Sequence, residues 1–170
     1  MELIVGLAGR RGSGKTTVAQ ALASRGFATT AFGDVVRREA TRLGRNTNTE
    51  SLQELGAELI TVWGWERFCG EVLAQARHAR RIAVDGFRHS EAVATFRRLF
   101  GERFRLVFLK LPDPIRYERL QKRGEFQPQL SDSHPVEAET SQLEALADAV
   151  VEVDAADPVT EIMTALGLKG

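Results

Sequence analysis

Apolar positions follow two periods that alternate along the chain. Short apolar runs indicate buried strands, and apolar residues three and four apart indicate helices that cover them. The predicted strands are 2–8, 27–32, 81–85, 104–111 and 149–153. The predicted helices are 15–25, 34–43, one from Thr49 past Val62, 65–79, one carrying 92–100, 112–123, one carrying 143–150, and one that begins at 157. This alternation predicts an α/β fold of three layers, with a five-stranded, mostly parallel sheet and helices on both faces.

A glycine-rich loop after the first predicted strand carries the strongest chemical signal. Residues 9–16, here called the phosphate loop, read Gly-Arg-Arg-Gly-Ser-Gly-Lys-Thr and match the pattern G-x-x-x-x-G-K-[ST] in full. The loop lies directly between a strand and a helix. Glycines let the main-chain N–H groups converge on one anion, and the helix adds its positive dipole end. The pattern therefore predicts a nucleoside triphosphate site.

Each residue type in the phosphate loop has an expected task. Lys15 would reach the β- and γ-phosphates, and the Thr16 hydroxyl would bind Mg²⁺. The residues expected to contact the nucleotide are Gly9, Arg11, Gly12, Ser13, Gly14, Lys15, Thr16 and Thr17. The loop alone does not distinguish a kinase from an ATPase, a GTPase or a motor. The guanine-selecting tetrapeptide N-K-x-D does not occur in the sequence, which argues against a GTPase.

Charged residues follow the other predicted strands at the edge where parallel sheets bind ligands. The second strand runs into Gly33-Asp34-x-x-Arg37, and the third runs into Val84-Asp85-Gly86-Phe87-Arg88. The helix 112–123 carries Arg119 and Arg123. Alternatives without function are an N-cap for Asp34, an ordinary turn at Asp85-Gly86, and weak surface ion pairs for the arginines.

Taken in order with the phosphate loop, these segments resemble the nucleoside monophosphate kinases, such as adenylate kinase, and the related dephospho-coenzyme A kinases. The resemblance spans about residues 3–123 and implies a P-loop fold that uses ATP and Mg²⁺. It implies that Arg37 and Arg88 grip an acceptor phosphate, and that Asp85 lies beside the Mg²⁺ shell. It also implies that arginines before the loop at 124–135 close over the transferring phosphate. The family's proline after Phe87 is absent here.

These observations lead to one functional hypothesis with two alternatives. We expect ATP-dependent phosphoryl transfer to a small-molecule acceptor, with a nucleoside or deoxynucleoside monophosphate as the leading candidate. The expected catalytic residues are Lys15, Asp34, Asp85 and Arg123; the acceptor-binding residues are Asp34, Arg37, Arg88 and Arg119; the metal-binding residues are Thr16 and Asp85. The alternatives are a dephospho-coenzyme A kinase and a non-catalytic nucleotide-binding switch.

Length and composition indicate the number of domains, the kind of binding partner and the cellular compartment. The 170 residues predict a single domain, with an acceptor-binding helical region at about 34–79 and a lid at about 119–136. Equal numbers of basic and acidic residues, 23 of each, disfavour nucleic acid as a partner. A single cysteine and the lack of a long apolar segment predict a cytoplasmic protein that does not bind membranes. We expect a monomer or a homodimer.

Overall fold

Five parallel strands form the centre of the molecule. The computed structural model describes residues 1–124, 135–154 and 157–168. The strands are β1 (Leu3–Ala8), β2 (Ala28–Ala31), β3 (Arg81–Phe87), β4 (Phe104–Lys110) and β5 (Ala149–Glu152). They are arranged in the order β2-β3-β1-β4-β5, and every neighbouring pair is parallel. The predicted fold class is confirmed.

Helices cover both faces of this sheet. They are α1 (Lys15–Ala23), α2 (Phe32–Arg42), α3 (Thr49–Ala74), α4 (Ser90–Phe100), α5 (Asp113–Lys122), α6 (Pro135–Leu146) and α7 (Pro158–Ala165), with a short 3₁₀ turn at Gly101–Arg103. One apolar cluster joins the sheet to α2, α3 and α4, and a second joins it to α1 and α7. Alternate residues of β1 enter the two clusters: Ile4 and Ala8 lie in the first, Val5 and Leu7 in the second. Burial on both faces explains why the strand reads as a continuous apolar run.

The start of α2 differs from the sequence prediction. Phe32 was expected to end the second strand, but it begins the helix, and its buried ring packs edge-on against Phe68 and Phe87 at centroid distances of 5.5 and 5.0 Å. Ala31 is consequently the N-cap residue, and Asp34 lies in the first helical turn. The N-cap interpretation of Asp34 is therefore wrong. A carboxylate in the first turn still suits the positive end of the helix dipole.

The two helices predicted between Thr49 and Ala79 are joined in α3, with a kink at Gly64. Gly64 has φ +73° and ψ 165°, a conformation that favours glycine. Trp63 and Trp65 flank the kink, and both rings pack near Phe68, at 6.3 and 6.2 Å. Val62 was expected on the buried face, but it is 78% exposed and lies two residues before the kink. These contacts favour core packing for the two tryptophans over stacking on a bound base.

A bulge ends strand β3. Leu7 of β1 pairs with Asp85, but the next residue, Ala8, pairs with Phe87. Gly86 is the extra residue and has φ +95°. The interpretation of Asp85-Gly86 as an ordinary turn is therefore wrong. A bulge redirects side chains next to it, and here it sets the direction of Asp85 at the ligand-binding edge.

Candidate active site

The phosphate loop connects β1 to α1 through three glycines with positive φ. The values are +149° at Gly9, +83° at Gly12 and +89° at Gly14. Gly14 is the N-cap residue of α1, and no side chain in the described part of the chain caps that helix. The first N–H groups of α1 are therefore left for an anion, which is the arrangement that binds phosphate in proteins.

Close packing also leaves little room for a side chain at these positions. A Cβ on Gly9 would lie 2.6 Å from the carbonyl oxygen of Leu109 in β4. A Cβ on Gly12 would lie 3.0 Å from side-chain atoms of both Arg116 and Leu120 in α5. A Cβ on Gly14 would lie 3.2 Å from the guanidinium of Arg119. The end of β4 and one face of α5 therefore form the walls that hold the loop.

The other residues predicted to contact the nucleotide lie in different environments. The Nζ of Lys15 donates hydrogen bonds to the carbonyl oxygens of Gly9, at 2.6 Å, and Arg10, at 3.2 Å, which keeps its charge over the loop. Thr17 is exposed in the first turn of α1, and Arg11 is half-buried. The Ser13 hydroxyl is buried against Gly9 and has no hydrogen-bond partner among the described residues, so this side chain faces away from solvent.

Thr16 and Asp85 meet at the end of the sheet, although they are 69 residues apart in sequence. The Thr16 hydroxyl donates a hydrogen bond to Oδ2 of Asp85 at 3.0 Å. The other carboxylate oxygen, Oδ1, is buried and accepts no hydrogen bond from any described residue. A buried acceptor without a partner is unfavourable by about 1–3 kcal/mol, so this oxygen is suited to an additional cation or water. A hydroxyl and a carboxylate are oxygen donors of the kind that Mg²⁺ prefers, and the residues present fit that ion.

On the other side of the sheet edge, Asp34 and Arg37 form an ion pair. The guanidinium NH1 of Arg37 lies 2.8 Å from Oδ1 of Asp34, and the side chains are 60% exposed for Arg37 and 52% for Asp34. Exposed pairs of this kind contribute about 0–1 kcal/mol to stability. The arginine can therefore exchange its partner for an incoming phosphate at little cost.

Arg88, Arg119 and Arg123 lie in three different settings. Arg88 follows β3 directly and is half-buried. Arg119 is also half-buried and reaches the phosphate loop at Gly14. Arg123 is exposed at the end of α5. Most of the predicted lid at 119–136 lies outside the described residues. Of its two arginines, Arg119 is the one that the described contacts place at the loop.

The segment after Arg88 is fixed by residues that sequence reasoning did not select. His89 lies 2.9 Å from Glu139 of α6 through its Nδ1, and the same carboxylate accepts the Ser90 N–H at 3.2 Å. The His89 ring also packs against Trp65, with centroids 5.2 Å apart. Two helices, α3 and α6, therefore hold the two residues that follow Arg88. The sequence offers no periodic signal for this contact, because it joins residues 50 apart.

Comparison with known proteins identifies the family. The family model for the AAA domain matches residues 5–144. The chain belongs to this AAA domain family. It is also 34% identical over 123 residues to a UPF0200 protein of Methanosarcina barkeri, a match that covers 71% of this chain and 66% of that protein. A UPF0200 protein of Pyrobaculum aerophilum is 32% identical over 133 residues, covering 76% of this chain and 71% of that protein, so the chain groups with the UPF0200 proteins.

Several solved structures with a similar fold are small-molecule kinases. A shikimate kinase from Aquifex aeolicus superposes with a TM-score of 0.60 at 20% identity, covering 97% of this chain and 96% of that one. A gluconokinase from Sinorhizobium meliloti gives a TM-score of 0.53 at 20% identity, covering 98% and 92%. The protein therefore has a P-loop kinase-like fold. Among its described residues, no helix combines the length and apolar character needed to cross a membrane.

Proposed function

We propose that this protein transfers the γ-phosphoryl group of ATP to a small-molecule acceptor, with a nucleoside or deoxynucleoside monophosphate as the leading candidate. The observation that carries the proposal is the contact between Thr16 and Asp85 beside the phosphate loop. The hydroxyl belongs to Thr16, the residue after Lys15. The second carboxylate oxygen of Asp85 is buried and has no hydrogen-bond partner among the described residues. That pair supports a metal-assisted reaction at the phosphates.

The donor half of the proposed site consists of the phosphate loop, Lys15, Thr16 and Asp85. The N–H groups of the loop and the first turn of α1 would bind the β-phosphate, and the ammonium of Lys15 would stabilise charge on the transferring group. Thr16 and Asp85 would hold Mg²⁺, which supplies charge neutralisation on the phosphate oxygens when it is bound. Phosphoryl transfer needs little covalent chemistry from the protein, so positioning and charge account for most of the catalysis.

The acceptor half would use the arginines across the sheet edge. Arg37 lies on α2, the helix after β2, and Arg88 directly follows the neighbouring strand β3. Both would bind the acceptor phosphate through paired N–H donors, a geometry that arginine provides and lysine does not. Asp34 would orient Arg37 before the acceptor arrives. Arg119 and Arg123 would cover the transferring group and exclude water, which would otherwise compete as acceptor. Two phosphate-binding arginines favour a phosphorylated acceptor.

The test is Mg²⁺-dependent ADP release from ATP across a panel of acceptors. The panel contains ribo- and deoxynucleoside monophosphates, nucleosides, dephospho-coenzyme A, shikimate and gluconate. Lys15→Ala is expected to reduce turnover by about 10²-fold or more, because it removes the main positive charge at the transferring phosphoryl group. Lys110→Ala serves as the matched control, since that exposed lysine pairs with Glu144 and should stay within about twofold of the wild type.

Each outcome of this panel has a clear meaning. Stimulation by one acceptor, with loss in Lys15→Ala, supports the kinase and identifies its substrate. Stimulation by shikimate, gluconate or a nucleoside, but by no phosphorylated compound, would contradict the assignment of Arg37 and Arg88 to an acceptor phosphate. ATP binding without stimulation by any acceptor would favour a nucleotide-binding switch.

A further inference from the structure

Arg116 is a fully buried arginine that the proposed reaction does not use. Its side chain is only 1% exposed, and it is the largest side chain in the described part of the chain to be buried to this degree. Arginine is almost never buried without partners, because its charge must leave water. The hydrogen bonds that compensate this charge therefore indicate what the residue does.

The partners of Arg116 lie in the phosphate loop and at the start of its own helix. Its NH1 donates a hydrogen bond to the carbonyl oxygen of Arg11 at 3.2 Å. Its Nε and NH2 each donate to Oδ1 of Asp113 at 3.1 Å. Asp113 Oδ1 also accepts a hydrogen bond from Arg10 NH1 at 3.0 Å. One carboxylate oxygen thus connects α5 to two consecutive residues of the loop. It contacts the side chain of Arg10 directly, and it reaches the main chain of Arg11 through Arg116.

The direction of the Arg11 carbonyl matters for anion binding. A carbonyl oxygen that faced the phosphates would repel them, whereas the loop must present N–H groups. Because the carbonyl oxygen of Arg11 accepts a hydrogen bond from the buried guanidinium, that oxygen points toward α5. The aliphatic part of Arg116 packs at the same place, 3.0 Å from the position of a Cβ on Gly12. Both the polar and the apolar part of this side chain therefore contact the loop.

We propose that Arg116 is a positioning residue for phosphate binding, which holds the phosphate loop in its anion-binding conformation from the side of α5, with Asp113 as its orienting partner. The inference rests on the proposed nucleotide-binding function. On this proposal Arg116 affects how the protein binds the phosphates of the ligand, and not how it binds the base or sugar. Loss of Arg116 should therefore weaken the binding of ATP and of inorganic tripolyphosphate by the same factor.

The experiment compares binding of ATP and of tripolyphosphate, by calorimetry, in the wild type and in two variants. Arg116→Met keeps most of the side-chain volume and removes the donors to Arg11 and Asp113. Asp113→Asn keeps the shape of the side chain and removes its charge. Asp113 is about half exposed. Phe96→Leu is the control for stability alone, because Phe96 is buried in the cluster of α2, α3 and α4. Arg80→Met is the control for loss of an arginine ion pair, since Arg80 pairs with Glu2 next to the start of β1.

We expect Arg116→Met to weaken the binding of both ligands by at least about tenfold. The measurement is made at a temperature where circular dichroism shows that the variant is folded. Asp113→Asn should weaken both by about two- to fivefold, and the two controls should bind like the wild type. Wild-type affinity in a folded Arg116→Met would overturn the inference. If Arg116→Met does not fold, unchanged affinity in Asp113→Asn would overturn it. A wild-type protein that binds neither ligand would contradict the proposed function itself.

Discussion

Replacement of Gly9 by alanine tests whether the close packing of the phosphate loop is needed for nucleotide binding. The added Cβ would lie 2.6 Å from the Leu109 carbonyl oxygen and 2.7 Å from Ser13 Oγ. Ordinary contact requires the Cβ and that carbonyl oxygen to separate by about 0.8 Å more. Leu109 is held in the sheet between β1 and β5, so the loop is the part that must move. The positive φ of Gly9 adds backbone strain of about 1–3 kcal/mol.

The size of this shift sets the expected loss of function. A displacement of about 1 Å in a positioning element reduces rates by up to about 10²-fold. We therefore expect Gly9→Ala to raise the Kd for ATP, and to lower kcat/KM, by about 10- to 100-fold. The Kd is measured by calorimetry and the folded fraction by thermal unfolding.

Gly26→Ala is the matched control. Gly26 also has positive φ, +84°, but a Cβ there would meet nothing within 4 Å. It follows α1, whose nine residues place about 13 Å between it and the loop. Both variants should lose stability, and only Gly9→Ala should lose affinity. ATP binding within about twofold of the wild type in a folded Gly9→Ala would refute the reasoning from loop geometry.

Three further variants or reagents address the metal site, the buried thiol and the last helix. Asp85→Asn should raise the Mg²⁺ concentration for half-maximal turnover about 10- to 100-fold, and an unchanged Mg²⁺ titration would remove Asp85 from the metal site. Burial raises the pKa of the Cys69 thiol from 9.0 to about 12, so a thiol reagent at pH 8 should react about 10³-fold more slowly with the native protein than with the unfolded chain; equal rates would contradict the burial of Cys69. Hydrogen bonds from Thr160 lower the pKa of Asp157 below 3.8, so its carboxylate stabilises the fold above that pH and ceases to do so as the pH falls through the lowered pKa. Asp157→Ala should therefore reduce the Tm at pH 7, and the difference should shrink below pH 3.8; a difference independent of pH would indicate another cause.

The sequence predicted the sheet and the phosphate loop because both depend on local patterns. The apolar run of β1 is interrupted only by Gly6, where a Cβ would lie 2.7 Å from the Phe87 ring and 2.8 Å from the Phe104 ring. That strand and the adjoining loop are recognisable within 16 residues of the N-terminus. The ion pair between Glu118 and Lys122 is local in the same sense, because residues four apart are neighbours on a helix; the two side chains lie 2.6 Å apart.

Features that depend on distant contacts were not predictable in the same way. The early start of α2 follows from the packing of Phe32 against Phe68 and Phe87, which come from other elements. The bulge at Gly86 depends on pairing with β1, and nothing in the pentapeptide around it distinguishes a bulge from a turn. The burial of Arg116 depends on the loop, 105 residues away in sequence. In all three cases the deciding partner lies outside the window that periodicity can examine.

The two halves of the candidate site are held with very different strength, and this difference bears on how the site works. On the donor side, a Cβ on Gly9 or Gly12 would lie 3.0 Å or less from neighbouring atoms, and a buried guanidinium fixes the main chain, so the loop is held in place by the protein's own contacts. On the acceptor side, Arg37 is held by an exposed pair with Asp34, which contributes about 0–1 kcal/mol. A preformed donor site avoids the cost of ordering the loop when ATP binds. A weakly held arginine can turn toward a phosphate, so in the proposed reaction acceptor binding is the step in which side chains of this site would rearrange.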